Sequence, residues 1–173
     1  MRRQRCAGRG FISGLVGGPV ASWTMNQFWA VKARLQQQMQ SSGDQESQNQ
    51  QEEREENNPT VKTAETITRP QLKRELTKQE KKTGGSVVHY AFGALTGGVY
   101  GMLSEVMPAV SAGFGMAWGS AVWLGADEIM VPSLKLGGRP QAYPLSQHLS
   151  GLGAHLVYGL TAEAVRRTMR AAC

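Results

Sequence analysis

The stretch from Val87 to Pro132, VVHYAFGALTGGVYGMLSEVMPAVSAGFGMAWGSAVWLGADEIMVP, leaves this chain few ways to fold. Between Val87 and Met107 only His89, Ser104 and Glu105 are strongly polar, and between Ala109 and Val131 only Asp127 and Glu128 carry charge. Each run matches the ~20 residues that a helix needs to cross a hydrocarbon core. Pro108 disfavours helical geometry at Met107 and removes an N–H, so the two runs predict a helical hairpin hinged there.

Small residues recur inside these runs at helical spacing. His89, Gly93, Gly97, Gly101 and Glu105 lie every fourth residue, along one side of a helix. Ser111, Gly115, Gly119, Trp123 and Asp127 repeat the device. In lipid, helices associate where small residues let backbones approach closely, so helix packing alone accounts for such glycines.

Two further apolar segments flank the hairpin. FISGLVGGPVASWTMNQFWAV follows the basic opening MRRQRCAGRG, carries Gly14 and Gly18, and ends in Trp23, Phe28 and Trp29, an interfacial aromatic belt. Its basic start and Val20-Ala-Ser22 also fit a secretory signal with a cleavage site. The segment from Leu145 onward places Gly151, His155, Gly159 and Glu163 on one face, with His148 nearby, and closes on Arg166, Arg167 and Arg170. Glu163 has the spacing of an intrahelical ion pair with Arg166 or Arg167.

The expected organisation is all-α: a four-helix integral membrane bundle with a disordered polar insert. Residues 1–31 form a basic N-terminus and first span, 32–86 a polar linker, and 87–173 a three-helix region with spans 87–107, 109–131 and 145–165 and a basic C-terminus. The tract from Gln36 to Thr60 has no apolar periodicity and predicts disorder. Thr68 to Lys82 predicts a short charged surface helix, Thr68 capping it and Pro70 in its first turn; it reads as a solvated connector or a partner-docking helix. Thr83-Gly-Gly-Ser86 predicts a flexible linker.

Charge supports this layout. Of the thirteen acidic residues nine lie between Lys32 and Lys82, where ten basic residues balance them, so the net charge of +6 arises beside the apolar segments. That is the placement of topology signals and not of a nucleic-acid footprint. Arginines at both ends favour cytoplasmic termini, while the twelve basic residues of the insert and the 132–144 loop favour the reverse. Cys6 and Cys173 have no CxxC partner and imply neither a disulfide framework nor a metal site.

Four antiparallel spans would gather His89, Asp127, Glu128 and His148 near one interface, Glu105, Glu163 and the terminal arginines near the other, and leave His155 deep. Charged groups in hydrocarbon pair or line a cavity. Structural ion pairs and a His/carboxylate proton relay both fit these residues. A metal site is a third reading, without a recognised ligand motif. No nucleophile elbow, phosphate loop or zinc motif is present, so an enzyme is not expected, nor a cofactor. The expected partners are the lipid bilayer and further copies of the chain joined through the glycine faces.

The residues His89-Tyr-Ala-Phe-Gly-Ala-Leu95, Gly97, Tyr100-Gly101, Glu105 and Pro108, then Trp123-Leu-Gly-Ala-Asp-Glu128 and Pro132, then His155-Leu-Val-Tyr-Gly159, Glu163 and Arg166-Arg167 resemble the YagU-like family. The resemblance covers about the last 90 residues well and the first span loosely. It implies a multi-pass protein of the bacterial inner membrane, of a family largely of unknown function whose named member is linked to acid resistance. The family's charged double-proline motif after the first span is absent, Val31-Lys-Ala-Arg34 running instead into the polar tract. The expectation is a non-enzymatic inner-membrane protein contributing to acid or envelope stress tolerance, the rival being a small proton or ion pathway.

Overall fold

The computed structural model describes residues 7–39, 58–72 and 74–172. Most of the tract expected to be disordered, residues 40–57, lies outside the described residues; its edges, Gln36 to Met39 and Pro59 to Thr60, are helical. The described chain is helical with no strand: α1 (Ala7–Met39), α2 (Pro59–Leu72), α3 (Lys78–Val106), α4 (Met116–Trp123) and α5 (Leu145–Ala172). Among the described residues no helix is long and apolar enough to cross a membrane.

Glycine sets the core. Gly10, Gly14 and Gly18 of α1 face Gly101, Gly97 and Gly93 of α3 in antiparallel register, backbone against backbone. A Cβ at Gly14 would lie 2.6 Å from the carbonyl carbon of Gly97, and one at Gly18 2.7 Å from that of Gly93. On another side α1 runs antiparallel to α5, where Thr24 and Thr161 share a 2.9 Å hydrogen bond and Phe28 covers Gly153. The α4 helix closes on α5 through Gly115 against Gly159 and Gly119 against the His155 backbone. Helices α1, α3, α4 and α5 thus alternate in direction, and α3 runs parallel to α5. Ala21, Met25, Tyr100, Ala154, Tyr158 and Ala162 fill what the backbones leave.

The surface helix expected over 68–82 is instead the end of one helix and the start of another. Thr68 lies within α2, its hydroxyl donating to the Ala64 carbonyl, and the chain breaks before Thr77. There Thr77 and Glu80 form a reciprocal capping box: the Thr77 hydroxyl accepts from the Glu80 N–H, and the Glu80 carboxylate accepts from the Thr77 N–H at 2.9 Å. Arg74 grips the same carboxylate through two bonds of 2.8 and 2.6 Å. The Thr83-Gly-Gly-Ser86 segment is helix, not linker. Its glycines form the floor on which α2 packs, a Cβ at Gly85 meeting Val61 at 2.7 Å and one at Gly84 meeting Ala64 at 2.9 Å.

The third expected span, 109–131, is also interrupted. Pro108–Ser111 forms a single 3-10 turn, and Gly113, Phe114 and Gly115 then take φ values of 60°, 57° and 88°. Only glycine adopts that region at little cost, so Phe114 is the strained member. After α4 the helix widens into a π segment, Leu124–Met130, before a last turn at Val131–Ser133. The widened turns precede Pro132, whose ring in an α-helix would meet the carbonyl four residues earlier.

Candidate functional site

Two polar clusters occupy opposite ends of the α3–α4–α5 contact. The first is built on the π segment, which carries Asp127 and Glu128 side by side. Glu128 Oε1 lies 2.6 Å from His148 Nδ1, while His148 Nε2 meets the Pro140 carbonyl at 3.0 Å. A carbonyl only accepts, so Nε2 carries a proton; the bond to Glu128 therefore joins an imidazolium to a carboxylate, or a neutral imidazole to a carboxylic acid. Asp127 is the more exposed acid, its Oδ2 3.7 Å from Nδ1 of buried His155, which also donates to the Gly151 carbonyl at 2.9 Å. His89, on α3, is within electrostatic reach of His155. Its Nε2 is buried and has no hydrogen-bond partner among the described residues.

The second cluster is fully engaged. Glu163, wholly buried, accepts from the Tyr100 hydroxyl at 2.6 Å, from Arg166 Nε and Nη2 at 2.7 and 2.8 Å, and from Arg167 Nε at 2.6 Å. Spacing predicted one arginine partner for Glu163, and it holds two. Glu105 faces Arg166 Nη1 at 3.2 Å and Arg170 Nη1 at 3.0 Å. The Arg167 guanidinium also lies 4.5 Å from the centre of the Phe114 ring, which the left-handed turn presents to it. Buried ions are tolerated when paired and hydrogen-bonded, and this cluster meets both conditions.

The ends expected from four antiparallel spans are the ends observed, with Glu105 and Glu163 at one and Glu128 and His148 at the other. Asp127 departs from the expectation by turning to His155 instead of joining His148, and His89 bonds to neither acid. Sequence reasoning missed the hydroxyls between the clusters. Tyr158 donates to the Gly93 carbonyl at 2.7 Å and shares a 2.9 Å bond with Thr96, one turn from Tyr100. His89, Gly93, Thr96 and Tyr100 share one helical face, a signal that the glycine pattern obscured. No group of three or more His, Cys, Asp or Glu among the described residues is placed to hold a metal ion.

The model of a family described as protein of unknown function (DUF1440) matches residues 46–164, more than half of the chain. The chain belongs to that family. Its matched residues carry every ionisable group of the first cluster and both carboxylates of the second. The DUF1440 match does not include α1, which supplies half of the central glycine contact, or the three arginines of α5. No curated protein and no solved structure matches the chain.

Proposed function

We propose that this DUF1440 member is a non-enzymatic, multi-pass membrane protein of the YagU-like kind, seated in the bacterial inner membrane and contributing there to tolerance of acid or envelope stress. One observation carries the reading: large apolar side chains are turned outward on a bundle that buries several charged ones. Glu105, His155, Glu163 and Arg166 are buried, whereas Ile12 at 60%, Val87 at 62% and Leu145 at 72% exposure stand among many large apolar side chains turned outward. Extensive exposed apolar surface marks a site of membrane or protein contact. A bilayer favours this arrangement, with small residues at helix contacts and charges facing protein.

The low average hydropathy of the helices accords with insertion as a bundle. With 33, 29 and 28 residues, α1, α3 and α5 have the length, and their inward Gly, Ser, His and Glu lower the mean. Membranes from cells expressing the chain, washed with alkaline carbonate, test the proposal. Retention in the pellet until detergent is added is expected, and release by carbonate alone would overturn it. The glycines expected to join copies are used inside the chain, so an oligomer would be built on other surface.

A second reading, a proton pathway, is favoured by the run of titratable and hydroxyl groups along the bundle: Glu128 and His148, Asp127 and His155, Tyr158 and Thr96, then Tyr100 and Glu163. Histidine exchanges protons in the mildly acidic range. Liposomes containing the protein should pass protons as the medium drops from about pH 7 to about pH 5, and folded His155→Ala should not. Flux no greater than that of empty liposomes would remove this reading and leave the first intact.

A further inference from the structure

The last turns of α5 border an open cleft of about 370 Å³ lined by Arg166, Arg167, Arg170 and Ala171. Three guanidinium groups meet two carboxylates here, Glu105 and Glu163, leaving one positive charge. Arg166, only 7% exposed, is fixed by bonds to both acids. Arg167 uses its Nε on Glu163 and rests on Phe114, which leaves its Nη1 and Nη2 donors for a ligand in the cleft. Arg170 binds Glu105 through Nη1. Anchored in this way, the side chains lose little further freedom on binding, and a planar guanidinium fork matches the oxygens of a phosphate.

The surroundings indicate where such a phosphate comes from. Val106, Met107, Phe114 and Met116 stand exposed at the same end of the bundle, so the cleft has apolar neighbours of the kind that acyl chains would cover. A free phosphate gains nothing from them. The residual positive charge also disfavours a zwitterionic headgroup, whose ammonium would be repelled.

We propose that this cleft binds the phosphate of an anionic phospholipid headgroup. The inference rests on the membrane reading above and adds a ligand to it. Each arginine near an anionic membrane contributes enough attraction that removing two should cost roughly thirtyfold in affinity. The full chain, purified in neutral detergent, is offered phosphatidylglycerol and phosphatidylcholine, and the retained lipid is counted by native mass spectrometry. The wild type should prefer phosphatidylglycerol by roughly thirtyfold. Arg167→Gln with Arg170→Gln, which leaves Arg166 in place, should abolish the preference with helical circular dichroism unchanged. Where that double variant does not fold, excess inorganic phosphate added to the wild type should displace the lipid.

Equal retention of both lipids by the wild type, or an undiminished preference in the folded double variant, overturns the proposal while the membrane reading stands. Binding of inorganic phosphate without retention of phosphatidylglycerol overturns the lipid source and assigns the cleft to free phosphate. A chain that stays soluble without detergent and retains neither lipid overturns both readings.

Discussion

Glu163 accepts four side-chain hydrogen bonds, and its burial makes each of them consequential. Glu163→Gln would turn amide N–H groups toward guanidinium donors and leave Arg166 short of a counter-charge. Breaking one side of a buried pair costs about 3–5 kcal/mol, so thermal unfolding in detergent should show a large loss of stability, whereas Arg170→Gln, on a partly exposed partner, should cost under about 1 kcal/mol. A Glu163→Gln variant as stable as wild type would remove the clamp from the account. Glu80 makes a different residue-scale prediction, outside the proposed spans. Hydrogen bonds from Arg74, then from Thr77, hold its carboxyl at about 2, below the usual 4.5. A lowered folded value means that the cap contributes fully above about pH 4.5 and fades as pH falls toward about 2. Titration of the Glu80 carboxyl carbon by NMR should give that low midpoint, and a midpoint near the ordinary value would count against the capping box. Thr77→Ala should cost about 1 kcal/mol and fray the first turn of α3.

At the scale of elements, periodicity showed which segments are helical and which glycines face a neighbour, because four-residue spacing is local information. It hid what depends on a third party. The start of α3 was legible in Thr77-Lys-Gln-Glu80, yet the apolar run beginning at Val87 drew the boundary inward by nine residues. Gly84 and Gly85 read as a linker because nothing in their neighbourhood reveals α2 folding back onto them. The left-handed turn at Gly113-Phe114-Gly115 and the π segment were invisible for another reason: both interrupt a run that, Asp127 and Glu128 apart, reads as one apolar stretch. Interhelical glycines give the sharpest element-scale test. Gly14→Ala would drive a methyl into the Gly97 carbonyl and should cost at least about 1–3 kcal/mol, while Gly125→Ala, with open space around it, should be neutral or slightly stabilising. Equal effects of the two substitutions on thermal stability would show that the close α1–α3 approach does not form.

For the whole molecule, the direction of every long helix follows from pairs of named residues. The sequence carried the grouping of charges at two ends because the helices alternate in direction. It could not carry the pairing of Asp127 with His155, which depends on how the widened turns rotate successive carboxylates. The central seam of α1 and α3 has one more consequence. Gly10, Gly14 and Gly18 meet Gly101, Gly97 and Gly93 at a constant interval, so sliding one helix by four residues, about 6 Å, again sets glycine opposite glycine for two of the three. A repeating seam of this kind works like a vernier without a zero mark: it enforces closeness but cannot by itself choose the register. The unrepeated contacts supply the mark: Phe11 against Gly98 and Asn26 with Tyr90 across the seam, and Thr24 with Thr161 and Lys32 with Ser150 from α1 to α5. Alignment of the bundle is therefore decided by side chains beside the seam and transmitted along a track that is itself indifferent to it.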